Sequence, residues 1–218
     1  MGSISIKEYL SLKMPTEEVA ISDQRRIQLA LNTLGYDNVT FPLRVLRKLY
    51  PLCREAGFDI TVTLVHRELD WVVTDVEPGD CRQHHYGLAV DYGSTTVIMQ
   101  LVDLNSGSVI GEEKTVNRQV TYGTDILSRI TYSLEDSSHM QDLQRVTVDT
   151  FQFLLAQLTE ATGIDAGNCG VMVVSGNTTM IHFLLGLNGW PVPVLPDLHW
   201  RGTSAVSVCG QRRALLTK

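Results

Sequence analysis

Apolar positions recur along the chain with two different periods. Ser22 precedes Ile27, Ala30, Leu31 and Leu34, a helical spacing that Gly35 ends. A second helix opens at Thr40 to Pro42, carries Leu46, Leu49, Cys53 and Ala56 on one face, and stops at Gly57. FDITVTLV and DWVVTDV then alternate as two β-branched strands joined by the charged turn HREL. Residues 1–80 therefore predict a small α+β unit. Met14-Pro15 and Glu77-Pro78-Gly79-Asp80 punctuate it, and the latter leads into a seam at residues 81–85.

From Tyr86 the pattern changes. YGLAVDYG, VIMQLVDL and SVIGEEKTV predict three successive strands, with NSG as a turn. The polar segment NRQVTYGTD leads into a helix through Ile126, Ile130 and Tyr132. A longer helix follows from about Met140 to Thr162, with Leu143, Val146, Val148, Phe151, Leu154, Leu155 and Leu158 as its apolar positions. Gly163 ends it. GVMVVSG is a continuous apolar strand of the kind buried on both faces, and NTT feeds the helix MIHFLLGL. The order over 86–190 is βββ-αα-β-α, an α/β arrangement. The role of the tail, residues 191–218, stays unassigned.

Composition narrows the function classes. The 218 residues are 44% hydrophobic, enough for real cores, and carry a net charge of −6 with no Lys/Arg run. Nucleic acid and anionic membrane are poor partners on that basis. No apolar stretch approaches the ~20 residues that span a bilayer, and MGSISIKEYL lacks the apolar core of a signal peptide, so a cytoplasmic protein is expected. Cys53, Cys81, Cys169 and Cys209 are scattered without metal spacing, and the adjacent His84 and His85 make a poor clamp. In the first unit, Asp70, Asp75 and Glu77 read as a solvated edge and Trp71 as core or interface.

The chemistry concentrates in AVDYGSTTV. A phosphate needs converging N–H and O–H donors, and a glycine lets backbone amides approach it. A turn of Gly93, Ser94, Thr95 and Thr96 offers both, and Asp91 at the strand end is placed to hold a hydrated magnesium ion. A plain turn whose hydroxyls cap their own backbone has the same residues, so both readings are open. Asn177, Thr178 and Thr179 follow Gly176 at the end of a buried strand, where ligands of open α/β sheets gather, although helix capping also explains them. Asp125 and Arg129 are four apart on an expected helix; they would pair, either as a surface ion pair or as a catalytic acid or base with its orienting cation.

The D-x-G-S-T-T turn resembles the first phosphate turn of the acetate kinase, sugar kinase, heat-shock chaperone and actin ATPase superfamily. GLAVDYGSTTV, VNRQVTYGTDILSRI and VVSGNTTMIHFLLGL in that order are similar to the reductive activators of corrinoid proteins. Asn117, Gln119, Gly123, Asp125 and Arg129 fall on the second motif of that family, and Gly176, Asn177, Thr178, Thr179, Met180 and His182 on the third. Tyr92, Ser94 and Arg118 depart from the usual wording.

The resemblance implies a middle domain over 1–80 followed by the first half of an actin-like, sugar-kinase-like ATPase domain over 86–190. It also implies ATP and magnesium as cofactors, a corrinoid protein as partner, and an iron–sulfur cluster only in a domain absent from this chain. On that reading the chain is a fragment of an ATP-dependent activator that returns oxidised corrinoid cobalt to its reduced state. Alone it is expected to be inactive unless a homodimer completes the site. A small-molecule kinase of the same superfamily, with Asp125 as base, and a non-catalytic interaction or dimerisation module are the alternatives.

Overall fold

The computed structural model describes residues 4–67, 70–165, 168–187 and 203–209, the last segment by its backbone. They fall into two compact units: residues up to 86 with 103–107 and 168–171, and the remainder. The first contains β1 (Ser5–Ser11), α1 (Asp23–Thr33), β2 (Val39–Thr40), α2 (Leu43–Glu55), β3 (Asp59–Arg67) and β4 (Asp70–Pro78). Its sheet has the order β1-β3-β4-β2. β3 is antiparallel to both β1 and β4, and the short β2 runs parallel to β4.

α1 starts where Ser22 accepts a hydrogen bond from the Arg25 amide, as a side-chain N-cap does. Ile27 and Leu31 of α1 and Val45, Leu49 and Cys53 of α2 pack with Leu10, Ile60, Val62, Leu64, Val73 and Val76 of the strands. Burying an aliphatic side chain of this size contributes roughly 1.5–3 kcal/mol. That layer holds the unit together.

β1 is an addition to the expected elements. Its residues Ser5 and Lys7 share a sheet face with Thr61 and Thr63 of β3, and all four are buried. Lys7 is paired with Glu77 at 2.6 Å. The Ser5 hydroxyl lies 2.9 Å from Nε2 of His85, which is 2% exposed. Burial, with Lys7 nearby, pushes the His85 pKa down to about 4, against a small opposing pull from Asp103.

The folded protein therefore binds fewer protons here than the unfolded chain between about pH 6.5 and 4. Stability is complete above the unfolded value and falls as the pH drops through that window. Chemical denaturation at pH 7 and pH 5 should differ by about 2 kcal/mol from this group. His85→Gln should remove that difference; an unchanged acid limb would place the proton uptake elsewhere.

The second unit holds all or most of β5 (Tyr86–Tyr92), β6 (Thr96–Asp103), β7 (Val109–Val116), a 3₁₀ turn (Arg118–Tyr122), α3 (Ile126–Glu135), α4 (His139–Thr162), β8 (Cys169–Asn177), α5 (Thr178–Leu185) and β9 (Thr203–Cys209). Its sheet order is β7-β6-β5-β8-β9. The mixed α/β class holds, with two additions. The polar segment before α3 winds into the 3₁₀ turn, and residues 203–209, in the tail left without an assigned role, form a fifth strand beside β8. Residues 188–202 and 210–218 of that tail lie outside the described residues.

α4 buries Leu143, Phe151, Leu154 and Leu158, but also Thr147 and Thr150. Both threonines return their hydroxyls to the carbonyl four residues back. Gly163, at φ 70°, caps the helix in the left-handed conformation that glycine adopts without steric cost.

Candidate functional site

β5 alternates buried Leu88, Val90 and Tyr92 with exposed Asp91. The chain then turns through Gly93, Ser94 and Thr95 into β6, and Thr95 and Thr96 are exposed. A Cβ on Gly93 would stand 2.5 Å from the Thr96 carbonyl oxygen, so this tight turn admits only glycine there. None of the ion pairs among the described residues involves Asp91. An exposed carboxylate beside successive hydroxyls at a strand end is chemically suited to a hydrated magnesium ion and a phosphate.

Behind the turn runs a buried polar network. Asn117, fully buried, donates through Nδ2 to the Gly93 carbonyl at 2.8 Å and through its backbone N–H to the Thr95 carbonyl at 2.8 Å. Its Oδ1 accepts from the Gln119 amide. The Gln119 side chain, also fully buried, donates to the Leu143 carbonyl at 3.0 Å and to Thr147 Oγ1 at 2.9 Å. Thr147 lies 2.6 Å from the Tyr92 hydroxyl, whose pKa burial pushes up. Tyr92 also meets Phe151 edge to face. The tyrosine that departs from the usual motif wording thus fastens the strand before the turn to α4.

Arg129 joins this network from the other side and is 0% exposed. Nε donates to the Gly123 carbonyl at 2.9 Å, and Nη1 reaches Gln119 Oε1 at 3.5 Å and Met180 Sδ at 3.6 Å. Nη2 has no hydrogen-bond partner. Burial pulls the guanidinium below its ordinary pKa.

The expected Asp125–Arg129 pair is therefore corrected. Asp125 is the extended N-cap of α3, one residue outside the helix, so the four-residue facing rule does not govern it. Its carboxylate accepts from the Ser128 amide at 2.9 Å and the Ser128 hydroxyl at 2.8 Å. Those bonds hold its pKa below the usual carboxylate value, which makes it a weaker base. Gly123 lets α3 approach closely, since a Cβ there would lie 2.8 Å from the Arg129 amide nitrogen.

The third motif converges on the first. Gly176 near the end of β8 is buried, and a Cβ on it would sit 2.7 Å from the Tyr92 carbonyl oxygen. The residue before Asn177 thus touches the residue before Gly93. Asn177 caps α5, its Oδ1 accepting from the Thr179 amide at 2.9 Å, which fulfils the capping expectation. Thr179 is buried and Thr178 half-buried. The structure brings Asn117 against the Gly93–Thr95 turn and Gly176 against Tyr92, whereas the hydrogen bonds described for the Asp125 carboxylate go to Ser128 at the start of α3. Thr147 escaped sequence reasoning; the signal was a polar residue four after Leu143 on the apolar face of α4.

An open groove of about 450 Å³ is lined by Thr115, Val116, Arg118, Val120, Thr121, Val146 and Asp149, of which Val116 pairs with Thr96 across β6 and β7. It contains none of the turn residues themselves.

Among family models, one described as "RACo middle region" matches residues 86–198 and one described as "RACo linker region" matches residues 3–83. The word middle thus attaches to the second segment. The corrinoid activation enzyme RamQ of Eubacterium limosum is 32% identical over 113 residues, which is 52% of this chain and 19% of RamQ. A solved reductive activator for corrinoid, iron–sulfur protein superposes with a TM-score of 0.79 at 29% identity. It covers 89% of this chain and 31% of that one. The chain thus spans less than a third of the length of either relative.

Proposed function

We propose, from the premise that this chain belongs to the RACo family of reductive activators of corrinoid proteins, that its second unit binds the phosphates of Mg–ATP and that nucleotide binding drives the reactivation of a corrinoid partner. The observation that carries the proposal is the approach of Gly176 to the Tyr92 backbone, which sets two donor-rich turns side by side at strand ends. Ser94, Thr95 and Thr96 supply donors from one turn, and the N-terminus of α5 behind Asn177 supplies amides from the other. Asp91 holds the magnesium ion through water, and the ion neutralises charge on the phosphates when bound.

In this reading the nucleotide does its work by being held differently in two states of the activator that differ in affinity for the corrinoid protein. Electron delivery belongs to an iron–sulfur domain outside this sequence. The sheet order β7-β6-β5-β8-β9 with a phosphate turn between β5 and β6 supports a half domain of the actin and sugar kinase type. The kinase alternative loses support because its base would be Asp125, whose carboxylate is engaged as a cap. No helix among the described residues is long and apolar enough to cross a membrane.

Titration of Mg–ATP into the 218-residue chain, followed by backbone amide chemical shifts, tests the proposal. The amides of Ser94, Thr95 and Thr178 should move, with a Kd weaker than ~1 µM, because donors on an open surface compete with water at high dielectric. Shifts confined to other residues, or none at millimolar nucleotide, would refute phosphate binding at these turns.

A further inference from the structure

We infer that Asn117 is a positioning residue that presets the Gly93–Thr96 turn for an anion, an inference that rests on the phosphate-binding reading above. A trans peptide is planar, and its C=O and N–H point in opposite directions. The chain has no cis peptide bond among its described residues. Asn117 draws the Gly93 carbonyl inward at 2.8 Å, so the N–H of the same peptide unit, that of Ser94, faces away from the buried amide and toward the side where Thr95 and Thr96 are exposed. The Thr95 carbonyl is drawn inward as well, by the Asn117 backbone N–H. One buried residue thus takes acceptor oxygens from both ends of the turn. Oxygens left facing the mouth would repel a phosphate; removing them leaves a donor there before any ligand arrives.

The orientation of the Asn117 amide is fixed by its neighbours. Oδ1 faces the Gln119 N–H, which can only donate, and Nδ2 faces the Gly93 C=O, which can only accept. Asparagine is therefore the residue whose two ends match both groups. Aspartate keeps the size and the first bond but sets an acceptor against the Gly93 carbonyl. That peptide unit then rotates, and the Ser94 N–H leaves the mouth. The Gln119 side chain ties the same network to α4 and, through Thr147, to Tyr92 beside the turn, so a control for stability alone is taken away from it, at Leu158 in the last turns of α4, which is 1% exposed.

The test uses the 218-residue chain with Mg–ATP as probe, in wild type, Asn117→Asp and Leu158→Ala. Asn117→Asp should weaken binding roughly tenfold or more, the loss expected when an aimed donor to a charged group is withdrawn. It should also abolish the Ser94 amide shift. Leu158→Ala should lower the unfolding midpoint by the loss of core packing while leaving the affinity, measured well below that midpoint, within about threefold of wild type. Affinity that falls in step with stability in both variants would reduce Asn117 to a structural residue. Unaltered binding by Asn117→Asp would overturn the positioning role alone. Absence of any wild-type shift at Ser94 would overturn both this role and the phosphate reading beneath it.

Discussion

Arg129→Ala should cost the folded state about 3 kcal/mol, read as a lower midpoint in urea denaturation followed by circular dichroism. The side chain is fully buried, and its removal opens a cavity between α3, the 3₁₀ turn and α5. It also leaves the Gly123 carbonyl and Gln119 Oε1 without their donor. Arg129→Met should behave differently. Methionine refills most of the volume, and the desolvation cost of a guanidinium with one unbonded nitrogen disappears with the charge. We expect Arg129→Met within about 1 kcal/mol of wild type. Equal losses in the two variants would mean that the hydrogen bonds, not packing, hold this corner.

Asp91→Ala should weaken Mg–ATP binding on the order of 100-fold in a chain extended to the length of its relatives, and should leave stability almost unchanged. The carboxylate is exposed at the end of β5 and has no part in the ion pairs of the described residues. Its loss therefore removes no folding contact, while a hydrated cation beside phosphates loses a charged acceptor worth about 1.5–3 kcal/mol. Calorimetry with and without magnesium separates the effects. The wild type should bind ATP more tightly with the ion present, and the variant should show little difference. A variant that keeps the full magnesium dependence would move the ion to another ligand.

Elements with one apolar face were legible in the amino-acid order. α4 spans His139–Thr162 against an expectation of 140–162, because Leu143, Phe151, Leu154 and Leu158 repeat at helical spacing. β1 was not legible, since two of the side chains it buries are Ser5 and Lys7, which periodicity scores as exposed. Their burial is made possible by His85 and Glu77, partners about seventy to eighty residues away that no local window contains.

The three motifs were readable as motifs, but not their wiring. Spacing suggested that Arg129 faces Asp125; the N-cap geometry turned one outward and left the other in the core. The links of Asn117 to Gly93 and of Gln119 to Thr147 connect positions 24 and 28 apart. They depend on how the sheet and α4 come together, which no pattern of residue types specifies.

Each of the three motifs also carries one glycine against which another stretch of backbone presses: Thr96 at Gly93, Arg129 at Gly123 and Tyr92 at Gly176, all closer than 3 Å to where a methyl group would stand. Main-chain atoms cannot swing aside as the tip of a side chain can. Homologous drift at these three places is therefore blocked even toward alanine, the smallest step available, whatever the nucleotide or partner. Gly35, Gly57 and Gly107 face open space and are constrained only by their backbone angles, which asparagine can also adopt. At these three glycines the motifs hold their spelling through steric necessity, and a descendant that abandoned the chemistry would still be expected to keep them, while the exposed Asp91 would be free to change.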